Sequence, residues 1–181
     1  MMPVIDARFL GTLGLAVLGL AAAGRADAWT YPREFHQNAS GTCQAALPAY
    51  EGQVRKRPLA LQNEGAANAF ASCSLFSPGA SASSFLDGEI YAVSINLDNN
   101  GAQAVDVTCT LVVGASRSSA NHYFTRTQTL PANSTYNQIA WSQDPDFDGG
   151  KIGPPPGISC NLQPGVGIAT TSIYYYEEIG E

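Results

Sequence analysis

From Ile90 to Val113 the chain alternates apolar and polar positions with a period of two. Tyr91, Val93, Ile95 and Leu97 fall on one side, and Ala92, Ser94 and Asn96 on the other. After Asn99-Asn100-Gly101 the alternation resumes, with Val105, Val107, Cys109, Leu111 and Val113 on one side and Asp106, Thr108 and Thr110 on the other. Two such runs flanking an Asn-Gly turn predict two β-strands, each with one face in a core. Register limits how they connect. If Leu97 and Val105 face one core within a single hairpin, the loop must be odd, for example Asn100-Gly101-Ala102. The other solution puts the strands in different sheets and makes the turn an arch over the core.

The same pattern extends in both directions. Leu59 and Leu61 begin an alternating segment, His122–Leu130 is a strand stopped by Pro131, and Tyr136–Trp141 follows Ala132-Asn133-Ser134. Ile158–Leu162, a Gln163-Pro164-Gly165 turn and Ile168–Glu178 close the chain, while 77–84, 114–121 and 144–157 read as polar loops. About eight or nine strands spaced roughly 8–12 residues apart, with no helical period, predict an all-β fold. We expect one antiparallel β-sandwich of Ig-like or jelly-roll type over 57–181. The stretch 29–56 reads as an N-terminal arm and loop, because Trp29, Tyr31 and Phe35 keep no period and Pro32 bars a helix.

A repeat lies inside this pattern. Leu61, Asn63, Gly65, Ala66, Cys73 and Leu75 recur 36 residues on as Leu97, Asn99, Gly101, Ala102, Cys109 and Leu111, and hydroxyl residues flank both cysteines. The cysteine portion recurs once more at Ile158–Leu162. Each copy reads as a strand, an Asx/Gly turn and a strand with an inward cysteine. Two full copies are too few for a solenoid, and convergence of sandwich strands accounts for so short a match.

Residues 1–28 read as a secretory signal: Arg8, an apolar stretch Phe9–Ala23, and Ala26-Asp27-Ala28 before Trp29. Gly11, Thr12, Gly14 and Gly19 break that stretch, so a membrane anchor is the poorer reading, and no later segment has spanning length. The expected destination is the periplasm or the exterior, where four cysteines form disulfides. Cys73, Cys109 and Cys160 each sit between apolar residues two positions away and should face the core. Four cysteines allow three connectivities; our reading pairs Cys43 with Cys73, and Cys109 with Cys160 across the sandwich. A zinc site is a poor rival, since there is no C-x₂-C pair and neither His36 nor His122 is suitably spaced. The net charge of −6 argues against nucleic acid as partner, and Arg55-Lys56-Arg57 reads as a solvated loop.

The order Val93-x-Ile95-x-Leu97-x-Asn99-x-Gly101, the strand end Leu111-Val112-Val113 and Thr129-Leu130-Pro131-Ala132-Asn133-Ser134 together resemble an Ig-like module. Residues 90–142 look like the cell-adhesion-related domains of bacterial surface and secreted proteins. That resemblance implies a sandwich that carries no catalytic residues.

Asp144-Pro-Asp146-Phe-Asp148-Gly149 is the sharpest chemical candidate. Three carboxylates at alternating spacing before a glycine match the start of a calcium loop. Pro155 stands where the bidentate Glu is expected, so only Glu177 or Glu178 could complete it through the fold. No G-x-S-x-G, H-E-x-x-H or phosphate loop is present. Aromatics able to stack on sugars are Tyr123, Tyr136, Trp141 and the triplet Tyr174-Tyr175-Tyr176, of which only Tyr174 and Tyr176 can share a face. The expectation is an exported, non-enzymatic module, structural or ligand-binding, with a carbohydrate or protein partner. Its rival is a calcium-dependent carbohydrate-binding domain or hydrolase using Asp144, Asp146 and Asp148.

Overall fold

The structure is a computed structural model. It describes residues 29–76, 90–113, 121–146, 152 and 156–179, apart from the side chains of 144, 145, 178 and 179. The expected signal at 1–28 and Asp148 lie outside these residues.

Eleven strands are present among the described residues. Six make a front sheet: β1 (Trp29–Asn38), β3 (Val54–Arg57), β4 (Ala60–Asn63), β6 (Ile90–Asn99), β9 (Ser134–Ser142) and β11 (Val166–Ile179). Five make a back sheet in the order β2 (Cys43–Ala45), β5 (Ala69–Ser74), β10 (Pro156–Leu162), β7 (Val105–Val113) and β8 (His122–Leu130). All pairings are antiparallel. The two surplus strands relative to expectation come from the supposed arm. Residues 29–56 supply β1, β2 and most of β3, with one helical turn, α1 (Ala39–Thr42), between the first two. Pro32 excludes a helix but sits comfortably in β1, an edge strand whose whole length pairs with β11.

β11 organises the front sheet. β6 lies along one side of it, while β4 pairs with its first residues and β1 with the remainder on the other. Alternation then fills the space between the sheets with Leu61, Val93, Ile95, Leu97, Ile139, Trp141, Ile168 and Ile173 from the front and Val107, Leu111, Leu130, Ile158 and Leu162 from the back, all buried. Tyr91 departs from the expected face. A bulge between the pairs Ala92–Tyr174 and Ile90–Tyr175 inserts one residue, so Ile90 takes the buried position and Tyr91 turns outward.

The run 90–113 is an arch, since β6 belongs to the front sheet and β7 to the back. The repeat 36 residues earlier is a second arch, from β4 to β5. In each, the shared asparagine is fully buried and ties the chain down. The Asn63 amide donates to the carbonyls of Ala67 and Leu162 at 2.9 Å, and its oxygen accepts the Gly65 N–H at 3.0 Å. The Asn99 amide donates to the carbonyls of Gln103 (2.8 Å), Pro131 (2.9 Å) and Leu130 (3.4 Å), and its oxygen accepts the Gly101 N–H at 2.9 Å. Each asparagine thus closes its own arch and holds the end of a second crossing, β10–β11 or β8–β9. Gly165, at φ 84°, joins the two sets: its N–H donates to Asn63 O and its carbonyl accepts from Asn100 N. A Cβ there would lie 3.2 Å from Gly101 N, so the close approach and the positive φ both require glycine.

Both disulfides form as expected, Cys43–Cys73 and Cys109–Cys160. The second does not cross the sandwich. Cys109 and Cys160 are directly opposite on neighbouring strands β7 and β10, as Cys43 and Cys73 are on β2 and β5. Directly opposed antiparallel residues come close enough for a bridge, and here the Cα atoms are 4.0 and 4.1 Å apart. Both bridges therefore staple the back sheet, and each contributes about 4 kcal/mol on the loop-entropy account.

Removing a buried amide that serves several carbonyls leaves those carbonyls dry and unpaired. Asn99→Ala should lower unfolding stability by at least about 3 kcal/mol, whereas exposed Asn100→Ala should change it by under about 0.5 kcal/mol. Denaturant midpoints at constant slope measure both.

Candidate functional site

The outward face of the front sheet gathers the polar and aromatic side chains that its alternation excludes from the core. Successive rows cross the strands. Glu34, Tyr174 and Ala92 form one, His36, Ser172, Ser94 and Ala140 the next, and Asn38, Thr170, Asn96 and Gln138 the third. Above the first row Tyr176 and the bulged Tyr91 meet with ring centroids 4.7 Å apart, and Tyr91 lies 6.1 Å from Tyr174. As expected, Tyr174 and Tyr176 share a face and Tyr175 packs against the core.

The polar groups form a directional network. The Tyr174 phenol lies among Glu34, which favours its protonated form, and Ser94 and Gln138, which favour the ionised one. Gln138 Nε2 also reaches Ser94 Oγ at 3.2 Å. His36 Nε2 is 3.2 Å from Glu34 Oε1, and His36 Nδ1 is 2.8 Å from Ser172 Oγ. A carboxylate only accepts, so in the neutral ring Nε2 carries the proton and Nδ1 accepts the Ser172 hydroxyl. Asn96 Nδ2 donates to Thr170 Oγ1 at 2.9 Å. The result is a floor of fixed amides, hydroxyls and one carboxylate beside a tyrosine cluster.

Ser172, His36 and Glu34 form a hydrogen-bonded series of the kind that activates a serine nucleophile. The surroundings do not support that chemistry. Ser172 is completely buried, and β11 is paired on both sides there, so its neighbouring N–H groups are taken up by the ladders rather than aimed at a developing oxyanion. The series holds the His36 ring in place.

Burial raises the Tyr91 phenol above its ordinary value, helped by Tyr176 and Glu34. Burial likewise raises Tyr174, reinforced by its hydrogen bond to Glu34. Both hydroxyls therefore stay protonated, and Tyr174 remains a donor, throughout the neutral range.

The other sequence candidates fall elsewhere. Trp141 is fully buried, so it is core and not a stacking surface, and its indole N–H has no partner. Tyr123 is exposed on the back sheet, away from this face. Asp146 is engaged by groups of this chain. It ends the helical turn α2 (Gln143–Asp146), where one oxygen takes the Arg126 guanidinium at 2.6 Å and the other accepts the Ser142 N–H at 2.9 Å. Arg126 supplies, beside Asp146, the positive charge that the rival calcium reading would have drawn from a metal. No cluster of three metal-ligating side chains occurs among the described residues, and the side chain of Asp144 lies outside them. No helix among those residues is long and apolar enough to cross a membrane.

Glu34, His36, Ser94, Asn96, Gln138 and Ser172 were not nominated by the sequence. The available signal was the polar side of the alternation in Ser94 and Asn96, which one central strand alone cannot turn into a site.

No protein-family model matches the chain, and no curated protein matches it. Among solved structures, it is similar to the GH26-CBM35 β-(1,4)-mannanase of Podospora anserina at 9% identity and a TM-score of 0.42, covering 82% of this chain and 28% of that one. It is also similar to TmCBM61 in complex with β-1,4-galactotriose, at 8% identity and a TM-score of 0.29, covering 82% and 88% of the two chains. The chain thus spans little more than a quarter of the mannanase. Likenesses at this level do not bear on what this chain binds.

Because Tyr91 and Tyr174 are raised in the folded state, they contribute stability that is complete below about pH 10. It is lost as pH rises through their folded values. Ultraviolet titration of tyrosinate should show two late-titrating residues, and Tyr91→Phe with Tyr174→Phe should remove that late phase.

Proposed function

We propose that this chain is an exported, non-catalytic β-sandwich that binds a neutral saccharide on the outward face of its front sheet. The observation that carries this reading is the Tyr91–Tyr174–Tyr176 cluster standing beside rows of fixed hydroxyl and amide groups. A pyranose ring has an apolar C–H face and a rim of hydroxyls. Tyrosine rings accept the first, and the amides of Asn96 and Gln138, the Thr170 hydroxyl and the Glu34 carboxylate, none of them buried, pair with the second. Pre-paired side chains lose little conformational freedom on binding, which suits a ligand with few apolar atoms to bury.

Export accords with the expected signal at 1–28 and with four cysteines fully used in two bridges. Calcium has no part in this reading, since Asp146 is committed to Arg126.

Affinity electrophoresis through gels containing mannan, xylan, galactan or soluble cellulose derivatives tests it. At least one polysaccharide should retard the protein, and Tyr176→Ala should weaken that retention about tenfold or more, the loss of one stacked ring and its partners. Unchanged mobility of the native protein in every gel would overturn the reading.

A further inference from the structure

A second tyrosine reaches the same face by the same device. Between the pairs Leu97–Asn137 and Asn99–Ser134, two residues, Thr135 and Tyr136, stand opposite the single Asp98. Ser134 and Asn137 are hydrogen-bonded to each other on the inner side, so the bulge leaves Thr135 and Tyr136 on the outer side with Asp98. Tyr136 is held there in a conformation that its side chain disfavours, at φ 57°. Asp98 fixes it, with the carboxylate accepting the Tyr136 N–H at 3.0 Å.

The ring gains no packing in return, for Tyr136 is 77% exposed. A bulky residue kept at positive φ and left in solvent is a local conflict that stability does not explain. Glycine or asparagine would fit the backbone better at that position.

Tyr91 adjoins Ala92 at one end of β6, and Tyr136 stands opposite Asp98 at the other. Six residue steps separate Ala92 from Asp98, about 20 Å along an extended strand. Between them lie the accessible side chains of His36, Gln138, Asn96 and Thr170, with Ser94 and Ser172 of the same rows fully buried, and in the Asp98 row β11 contributes only Gly167, which adds no side chain to the floor.

Resting on the saccharide reading above, we infer that Tyr136 is a second stacking subsite, and that the ligand is an extended linear glycan lying along β6 rather than a single terminal sugar. A short ligand occupies the Tyr91–Tyr174–Tyr176 end alone. A longer one spans the polar floor and reaches Tyr136.

Calorimetric titration with β-1,4-linked gluco-, manno-, xylo- and galacto-oligosaccharides of two and six units tests this. The native protein should bind one hexasaccharide at least tenfold more tightly than its disaccharide. Tyr136→Gly should bring the hexasaccharide down to within about threefold of the disaccharide, with disaccharide affinity unchanged and the unfolding midpoint equal or higher. Tyr176→Ala should weaken both lengths. Hexasaccharide affinity unaltered in Tyr136→Gly would sink the second subsite while leaving the saccharide reading intact. Equal losses for both lengths would also sink it, by placing Tyr136 within one short site. No binding of either length by the native protein would overturn the saccharide reading and this inference together.

Discussion

Two buried asparagine side chains hold this sandwich at the end where its strands change sheet. Crossing between layers forces the backbone away from ladder partners and leaves carbonyls facing the core. In a core of leucine, isoleucine and valine those carbonyls have no water to turn to, and an unpaired one costs on the order of 1–3 kcal/mol. Asn63 and Asn99 each serve two or three of them from one planar amide. Because each amide also grips the start of a neighbouring crossing, the sheets cannot slide along one another without breaking both sets. The relative placement of β6, β9 and β11, and so of the tyrosine face, follows from that grip.

The repeat that carries that device was legible in the chain, though not the burial of its asparagines. Asn63 and Asn99 recur at the same offset as the cysteines because both copies solve one problem, a buried arch followed by an inward half-cystine. The strand at 29–38 was not legible. Its partner begins more than a hundred residues later, Trp29 and Tyr31 are exposed, and an edge strand around Pro32 shows no alternation. The face itself was hidden for a related reason. Glu34, Ser94, Gln138 and Ser172 come from four strands and meet sideways, a relation set by register rather than spacing. Tyr91 even read as a core residue, because a one-residue bulge reverses every assignment beyond it.

Asp146 shows how one residue of an acidic motif can answer to a different need. β8 is a nine-residue edge strand at the open side of the back sheet, and such edges invite pairing with other chains. Arg126 sits on β8 opposite Cys109, on the inward-facing side, and meets Asp146 from the turn after β9. A charge aimed inward on an edge strand discourages a visiting strand from docking. The carboxylate that resembled a metal ligand serves to keep that charge in place.

Both sulfur bridges lie in the back sheet, and none among the described residues links the two layers. On the proposed reading, recognition and covalent reinforcement are thus divided between opposite walls of the molecule. The reinforced wall acts as a keel, and the tyrosine wall is joined to it by the chain's own crossings and by packing. Evolution can then redraw the tyrosine face one outward residue at a time without disturbing the oxidative step that sets the protein's durability.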